Sequence, residues 1–138
     1  MSFTQATISL TDNGVMTMLK AAISKADEVG QPQCIVIVDA SGETLGEIRM
    51  SGAKFLSRKS ALAKALTSAS TGGASSSIPE TVRSAIGLAT EGSITGLPGG
   101  LPIRIDGVLV GGVGIGSGTG EQDVAVATAA LVAVGAQI

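Results

Sequence analysis

Residues 97–123 read LPGGLPIRIDGVLVGGVGIGSGTGEQD, a glycine-crowded run in a chain that carries 20 glycines. Such glycines either cradle a phosphate or let backbones approach closely. The answer limits the folds open to the chain, because close backbone packing suits a core of small side chains. The apolar content has that character: Ala, Val, Ile and Leu dominate, and Phe3 and Phe55 are the only aromatic residues. At 138 residues and 44% hydrophobic, the chain is long and apolar enough for one domain, spanning 1–138, with its own core.

The phosphate reading fails on spacing. From Gly114 the run is G-x-G-x-G-x-G, whereas the dinucleotide fingerprint is G-x-G-x-x-G. That fingerprint follows the first strand of a βαβ unit and is answered by an acid about twenty residues later. Here the run follows a hairpin late in the chain, no Lys-Ser or Lys-Thr follows it, and Glu121 and Asp123 would repel a phosphate. Tight turns and close packing are the expected use of these glycines. The N–H groups of the turn keep the capacity to hold a carboxylate.

The pattern predicts the elements around this run. Thr7–Leu10 reads as a short lead-in strand. Thr11 or Asp12 is a suitable N-cap for a helix ending at Val29, with Val15, Met18, Leu19, Ala22, Ile23 and Ala26 at helical spacing. Gly30 and Pro32 end it. Cys34–Val38 and Thr44–Met50 form a hairpin about Ser41-Gly42. Ser57–Ser70 is a helix capped by Ser57, with Ala61, Leu62, Ala65, Leu66 and Ala69 on one face. After the TGGASSS loop, Pro79 opens a short helix to Ala89. Leu101–Ile105 and Val108–Ile115 form a second hairpin about Asp106-Gly107. The last helix, Glu121–Val134, turns Val124, Ala127, Ala130, Leu131 and Val134 inward. Two hairpins in one sheet, covered by helices, make an α+β layered domain.

Composition excludes several kinds of function. The formal net charge is −2 and there is no basic stripe with stacking aromatics, so nucleic acid is not an expected partner. No apolar run reaches membrane-spanning length, and the first ten residues lack the pattern of a signal peptide, so the expectation is a cytoplasmic protein off the membrane. The chain has no histidine, which removes serine–histidine catalysis and histidine metal sites. The single cysteine, Cys34, excludes an internal disulfide and a thiolate cage, and reads as a small core residue.

The remaining polar residues each have a local reading. Asp39, beside Ser41-Gly42, suits an Asx-type turn. Glu121 and Asp123 do not share a helix face, and complement the helix dipole. Arg49 is a strand-end charge or a clamp for an acidic ligand. Lys64 lies among alanines and leucines and either snorkels or meets a ligand carboxylate.

Several segments together resemble the GlcG/HbpS-like haem-binding family, whose domain also forms the C-terminal part of PduO-type cobalamin adenosyltransferases and is often called a haem-degrading domain. The resemblance rests on AAISKADEVGQP, IVIVDASGETLGEIRMSGA, SRKSALAKALTSA and LPGGLPIRIDGVLVGGVGIGSGTGEQD, and covers nearly the whole chain. It implies a profilin-like α/β/α sandwich around a central antiparallel sheet, homo-oligomers, and in some members haem binding or association with corrinoid and glycolate or diol metabolism. By position it marks Asp39, Arg49, Met50, Lys64, Gly99, Gly100, Pro102, Gln122 and Asp123. Two departures stand out: Ser51 replaces the family's usual Asp, and no histidine exists to ligate haem iron.

The resulting expectation is a small cytoplasmic, homo-oligomeric protein that binds a small molecule, haem or a similar planar acid, accessory to organic-acid or diol catabolism. Arg49, Met50, Lys64, Gly99, Gly100 and Asp123 are its candidate ligand-binding residues, with Met50 the candidate iron ligand. Two alternatives stay open. One is a histidine-free enzyme on an organic acid, using Asp39, Glu47, Asp123 or Lys64 as base. The other is a purely structural assembly subunit.

Overall fold

Helix α1 runs Asp12–Val29 in the computed structural model, which describes residues 1–138. Thr11 is its N-cap: the Gly14 N–H donates to Thr11 Oγ1 at 3.0 Å. At the other end Gly30 takes φ 74°, a left-handed cap that returns its N–H to the Ala26 and Asp27 carbonyls. Val15, Met18, Leu19, Ala22 and Ala26 are buried as the spacing predicts, while Ile23 is half-buried. The expected strand over Thr7–Leu10 does not form. A strand needs a ladder partner, and this segment pairs with neither sheet edge; only Leu10 packs on the core.

Four strands make one antiparallel sheet in the order β2-β1-β4-β3: β1 Cys34–Asp39, β2 Thr44–Arg49, β3 Gly100–Ile105 and β4 Val108–Gly116. Both predicted hairpins are present, joined through β1 and β4. Asp106 (φ 52°) and Gly107 (φ 78°) form the tight turn expected of Asp-Gly. Strand alternation sorts the core into two layers. Ile35, Ile37, Val113 and Ile115 face α1 and helix α4 (Gly120–Ala133). Cys34, Val36 and Val38 face helix α2 (Ser57–Thr71). The architecture is the expected α/β/α layering.

Three expectations shift in detail. Ser57 is the first residue of α2 rather than its cap, and its hydroxyl accepts from Ser117. Pro79 precedes a 3-10 turn, Glu80–Val82, and the short helix α3 proper is Arg83–Ala89. In α4 the buried row is Asp123, Val126, Ala127, Ala130 and Leu131, leaving Val124 at the surface. The capping box at Thr119 and Gln122 sets this phase.

The glycines of β4 now have a physical role. Gly112, Gly114 and Gly116 share the face under α2. A Cβ on each would run into the carbonyl oxygen of Ala65, Ala61 and Ser57 respectively. Those three residues form one i, i+4 ridge of the helix. On β3, Gly100 meets the Lys64 carbonyl in the same way. Helix α2 therefore lies backbone-to-backbone on the sheet, with Ala61, Ala65 and Ala69 as its buried contacts.

Candidate functional site

Where β4 ends and β3 begins, Lys64 reaches from α2 past the sheet to α4. Its Nζ donates to Asp123 Oδ2 at 2.8 Å and to the Ile115 carbonyl at 2.6 Å. The two side chains are only 5% and 3% exposed, so this is a buried ion pair joining the two helical layers. Asp123 Oδ1 accepts from the Gly118 N–H at 3.1 Å, fixing the turn before α4. Gly99, at φ 120°, lies against the pair: a Cβ there would stand 2.8 Å from Asp123 Cβ and 3.1 Å from Lys64 Nζ. Gly100 lies beside the Lys64 carbonyl. Four of the six candidate residues thus converge on one point.

Beside this point is a polar cleft of about 260 Å³, bordered by Lys54, Ser57, Ser60, Ser117 and the ion pair. Ser117 holds its rim together. The Lys54 N–H donates to Ser117 Oγ at 2.9 Å, and Ser117 Oγ donates to Ser57 Oγ at 2.9 Å. Ser117 takes φ 94°, a region that disfavours side chains, at the strand-to-helix turn.

A second depression runs along the outer side of α2, under the loop 90–97. Leu66 and Ser93 line both of its lobes, of about 500 and 670 Å³. Leu62, Ala63 and Leu97 give the first lobe an apolar floor, with Lys59 and Glu91 at its margin. The loop is pinned: the Thr95 N–H donates to Thr67 Oγ1 at 3.0 Å, and Ser75 Oγ donates to the Leu97 carbonyl at 2.6 Å. Volumes of this size suit a small-molecule ligand. Ser60 and Leu97 border both the first lobe and the polar cleft.

The other candidates lie elsewhere. Arg49 is exposed at the end of edge strand β2, opposite Cys34. Met50 is half-buried, and its Sδ accepts the Gln33 N–H at 3.4 Å. Glu47 pairs with Arg58 at the surface, at 3.2 Å. Asp39 makes the expected Asx turn, Oδ1 accepting from the Ser41 and Glu43 N–H groups at 2.8 and 3.0 Å. Gln122 exchanges hydrogen bonds with Thr119, and Pro102 sits on edge strand β3, where a missing N–H costs least. Sequence reasoning missed Lys54, Ser117 and the outer face of α2. Ser117 lies in the quoted glycine run and Leu62 and Leu66 in SRKSALAKALTSA, but their spacing there signals only a turn and a helix, not the clefts they border.

Cys34 is buried, and burial pushes its thiol up, with Arg49 and Arg58 only partly offsetting this. It therefore stays a protonated thiol at neutral pH. A thiol reagent such as DTNB at pH 7.5 is expected to leave it unmodified in the folded protein and to react fully in urea. Fast reaction of the folded protein would contradict this reading of the thiol.

No group of three or more potential metal-ligating residues occurs, and no helix is long and apolar enough to cross a membrane. The chain is 29% identical to the corrinoid adenosyltransferase PduO of Salmonella typhimurium over 132 residues, which is 92% of this chain and 39% of that enzyme. It therefore spans well under half of that enzyme's length. Among solved structures, the Klebsiella pneumoniae protein ORFY superimposes with a TM-score of 0.93 at 29% identity, covering 100% of this chain and 99% of that one. The PduOC:heme complex gives 0.88 at 27% identity, covering 94% and 98%. The family model described as haem degrading protein HbpS-like matches residues 10–132, from the last residue before the α1 cap to the last turn of α4. With both helical layers, the sheet and the glycine-bearing turn inside that match, the chain belongs to the HbpS-like haem-degrading protein family.

Proposed function

We propose that the protein binds haem, or a planar acid like it, in the groove along α2. The observation that carries this reading is the groove itself: an apolar floor of Leu62, Leu66 and Leu97 in a lobe of about 500 Å³, under a loop that α2 holds in place. A flat apolar ring gains by covering such leucines, and Lys59 at the margin suits a carboxylate. The relative in the PduOC:heme complex supports the ligand class. These residues fit a ligand held by its ring and its acids. They offer iron no imidazole and no phenol, since the chain has neither histidine nor tyrosine. Bound haem would supply redox chemistry at its iron; the chain's own part is to bind, orient and shield the ring. Homo-oligomerisation belongs to the same reading, with Phe55 and Leu56 (67% and 63% exposed) as apolar surface. So does a cytoplasmic role accessory to organic-acid or diol catabolism.

Titration with hemin tests this. A saturable Soret shift at stoichiometric hemin is expected, and no shift would overturn the reading. Leu66→Asp places a charge in both lobes on the outer side of α2, and is expected to weaken binding at least tenfold, about 1.4 kcal/mol; unchanged affinity would move the ring elsewhere. Met50→Ala is expected to leave the Soret band unchanged, because the sulfur is held by the Gln33 N–H and does not line the groove. An altered band would restore Met50 as iron ligand.

A further inference from the structure

We propose that the polar cleft at the start of α4 is a seat for a carboxylate. Its lining holds two cations, Lys54 and Lys64, and one anion, Asp123. Lys64 and Asp123 neutralise each other at 2.8 Å, so the cleft keeps the charge of Lys54. That ammonium joins no ion pair. Its one hydrogen bond, to the Ser117 carbonyl, is long at 3.4 Å and leaves it donors to spare. Ser57, Ser60 and Ser117 also line the cleft. The first turn of the 14-residue helix α4 adds open N–H groups and the positive end of its dipole.

An independent observation singles out this place. Gln33 is fully buried, and neither its Nε2 nor its Oε1 has a hydrogen-bond partner. Buried amides are rarely left so. Its Nε2 ends at Gly118, a lining residue of the cleft: a Cβ on Gly118 would stand 2.6 Å away. The unsatisfied amide thus lies directly behind the Gly118 backbone that lines the cleft, a polar group without a partner at the back of a cationic, hydroxyl-lined site.

Size and charge define the occupant. About 260 Å³ is too small for a macrocycle and ample for a short carboxylic acid. One spare positive charge matches one carboxylate better than a phosphate dianion. The carboxylate has two sources. It is a free short acid, or it is a side-arm of the planar ligand in the neighbouring groove, reached past Ser60 and Leu97; this second source rests on the haem reading.

The test uses propionate, hemin and hemin dimethyl ester on the full chain labelled with ¹⁵N. Propionate is expected to shift the Gly118 and Gly120 amide signals saturably, and Lys54→Gln to weaken this at least tenfold. Lys54 is exposed, so the variant is expected to melt as the parent does. If hemin displaces propionate and its diester does not, the carboxylate comes from the planar ligand. If propionate binds and hemin does not displace it, the source is a free acid, and the haem reading falls only where hemin also fails to bind. The proposal is overturned if propionate causes no saturable shift and hemin binds no better than its diester, or if Lys54→Gln binds propionate as the parent does.

Discussion

Gly114→Val is expected to destabilise the protein by at least about 3 kcal/mol, more than most single substitutions cost. Valine is a better strand residue than glycine, so local propensity alone would predict a gain. Packing decides the other way. A Cβ at 114 collides with the Ala61 carbonyl oxygen and stands 2.5 Å from the Ala65 amide nitrogen. Overpacking costs about 1–3 kcal/mol where side chains can shift. Here the obstacle is helix backbone, and relief requires lifting α2 from the sheet, which also separates Ala61 and Ala65 from Cys34, Val36 and Val38. Against a total stability of about 5–15 kcal/mol for an ordinary domain, the loss is large. The melting temperature should fall by about 10 °C or more. Gly14→Ala is the control. A Cβ there meets Thr11 Oγ1 at 3.5 Å and Leu10 at 3.7 Å, ordinary contacts, and the helical position favours alanine by up to about 1 kcal/mol. Equal melting of the Gly114→Val protein and the parent would refute backbone-to-backbone packing of α2.

That packing explains which parts of the fold were legible in sequence. Helix α1 and both hairpins follow from local rules: apolar spacing, the Thr11 cap, the Gly30 terminator and the Asp106-Gly107 turn all act within a few residues. The layered α+β class follows from their order. The purpose of the glycine run was legible only in outline, since spacing excludes a phosphate loop but cannot say which backbone comes close. The alternation of Gly112, Gly114 and Gly116 acquires meaning once the ridge Ser57, Ala61 and Ala65 lies above it. Thr7–Leu10 shows the opposite limit, a strand-like pattern with no ladder partner. At the site, Lys64, Gly99, Gly100 and Asp123 are distant in sequence, and only the family resemblance grouped them; chain folding gives the reason for the grouping. Local rules assign Asp123 to the helix dipole, because a partner 59 residues away leaves no periodic trace. Lys54 and the groove face of α2 escaped notice for the same reason, as their character comes from what surrounds them in space.

The ion pair that joins those distant residues yields the second large expectation. Lys64→Met should cost about 3–5 kcal/mol, the range found when one partner of a buried pair is removed. Methionine keeps the length and apolar stem of the side chain, so the cavity term is small and the loss isolates the charge. What remains is a carboxylate 3% exposed, with the Gly118 N–H as its one hydrogen-bond donor, and an Ile115 carbonyl deprived of its ammonium. Asp123→Leu should cost a similar amount by the converse route, stranding the Lys64 ammonium on a single carbonyl. The double variant Lys64→Met with Asp123→Leu is expected to be more stable than either single one. It leaves no buried charge, and its deficit reduces to the Gly118 N–H, the Ile115 carbonyl and the fit of a leucine against Gly99. The coupling in a double-mutant cycle from urea unfolding should therefore reach about 2 kcal/mol or more, within the range for residues in direct contact. Additive losses, or a Lys64→Met protein as stable as the parent, would show that the pair does not hold the two helical layers together around the end of the sheet.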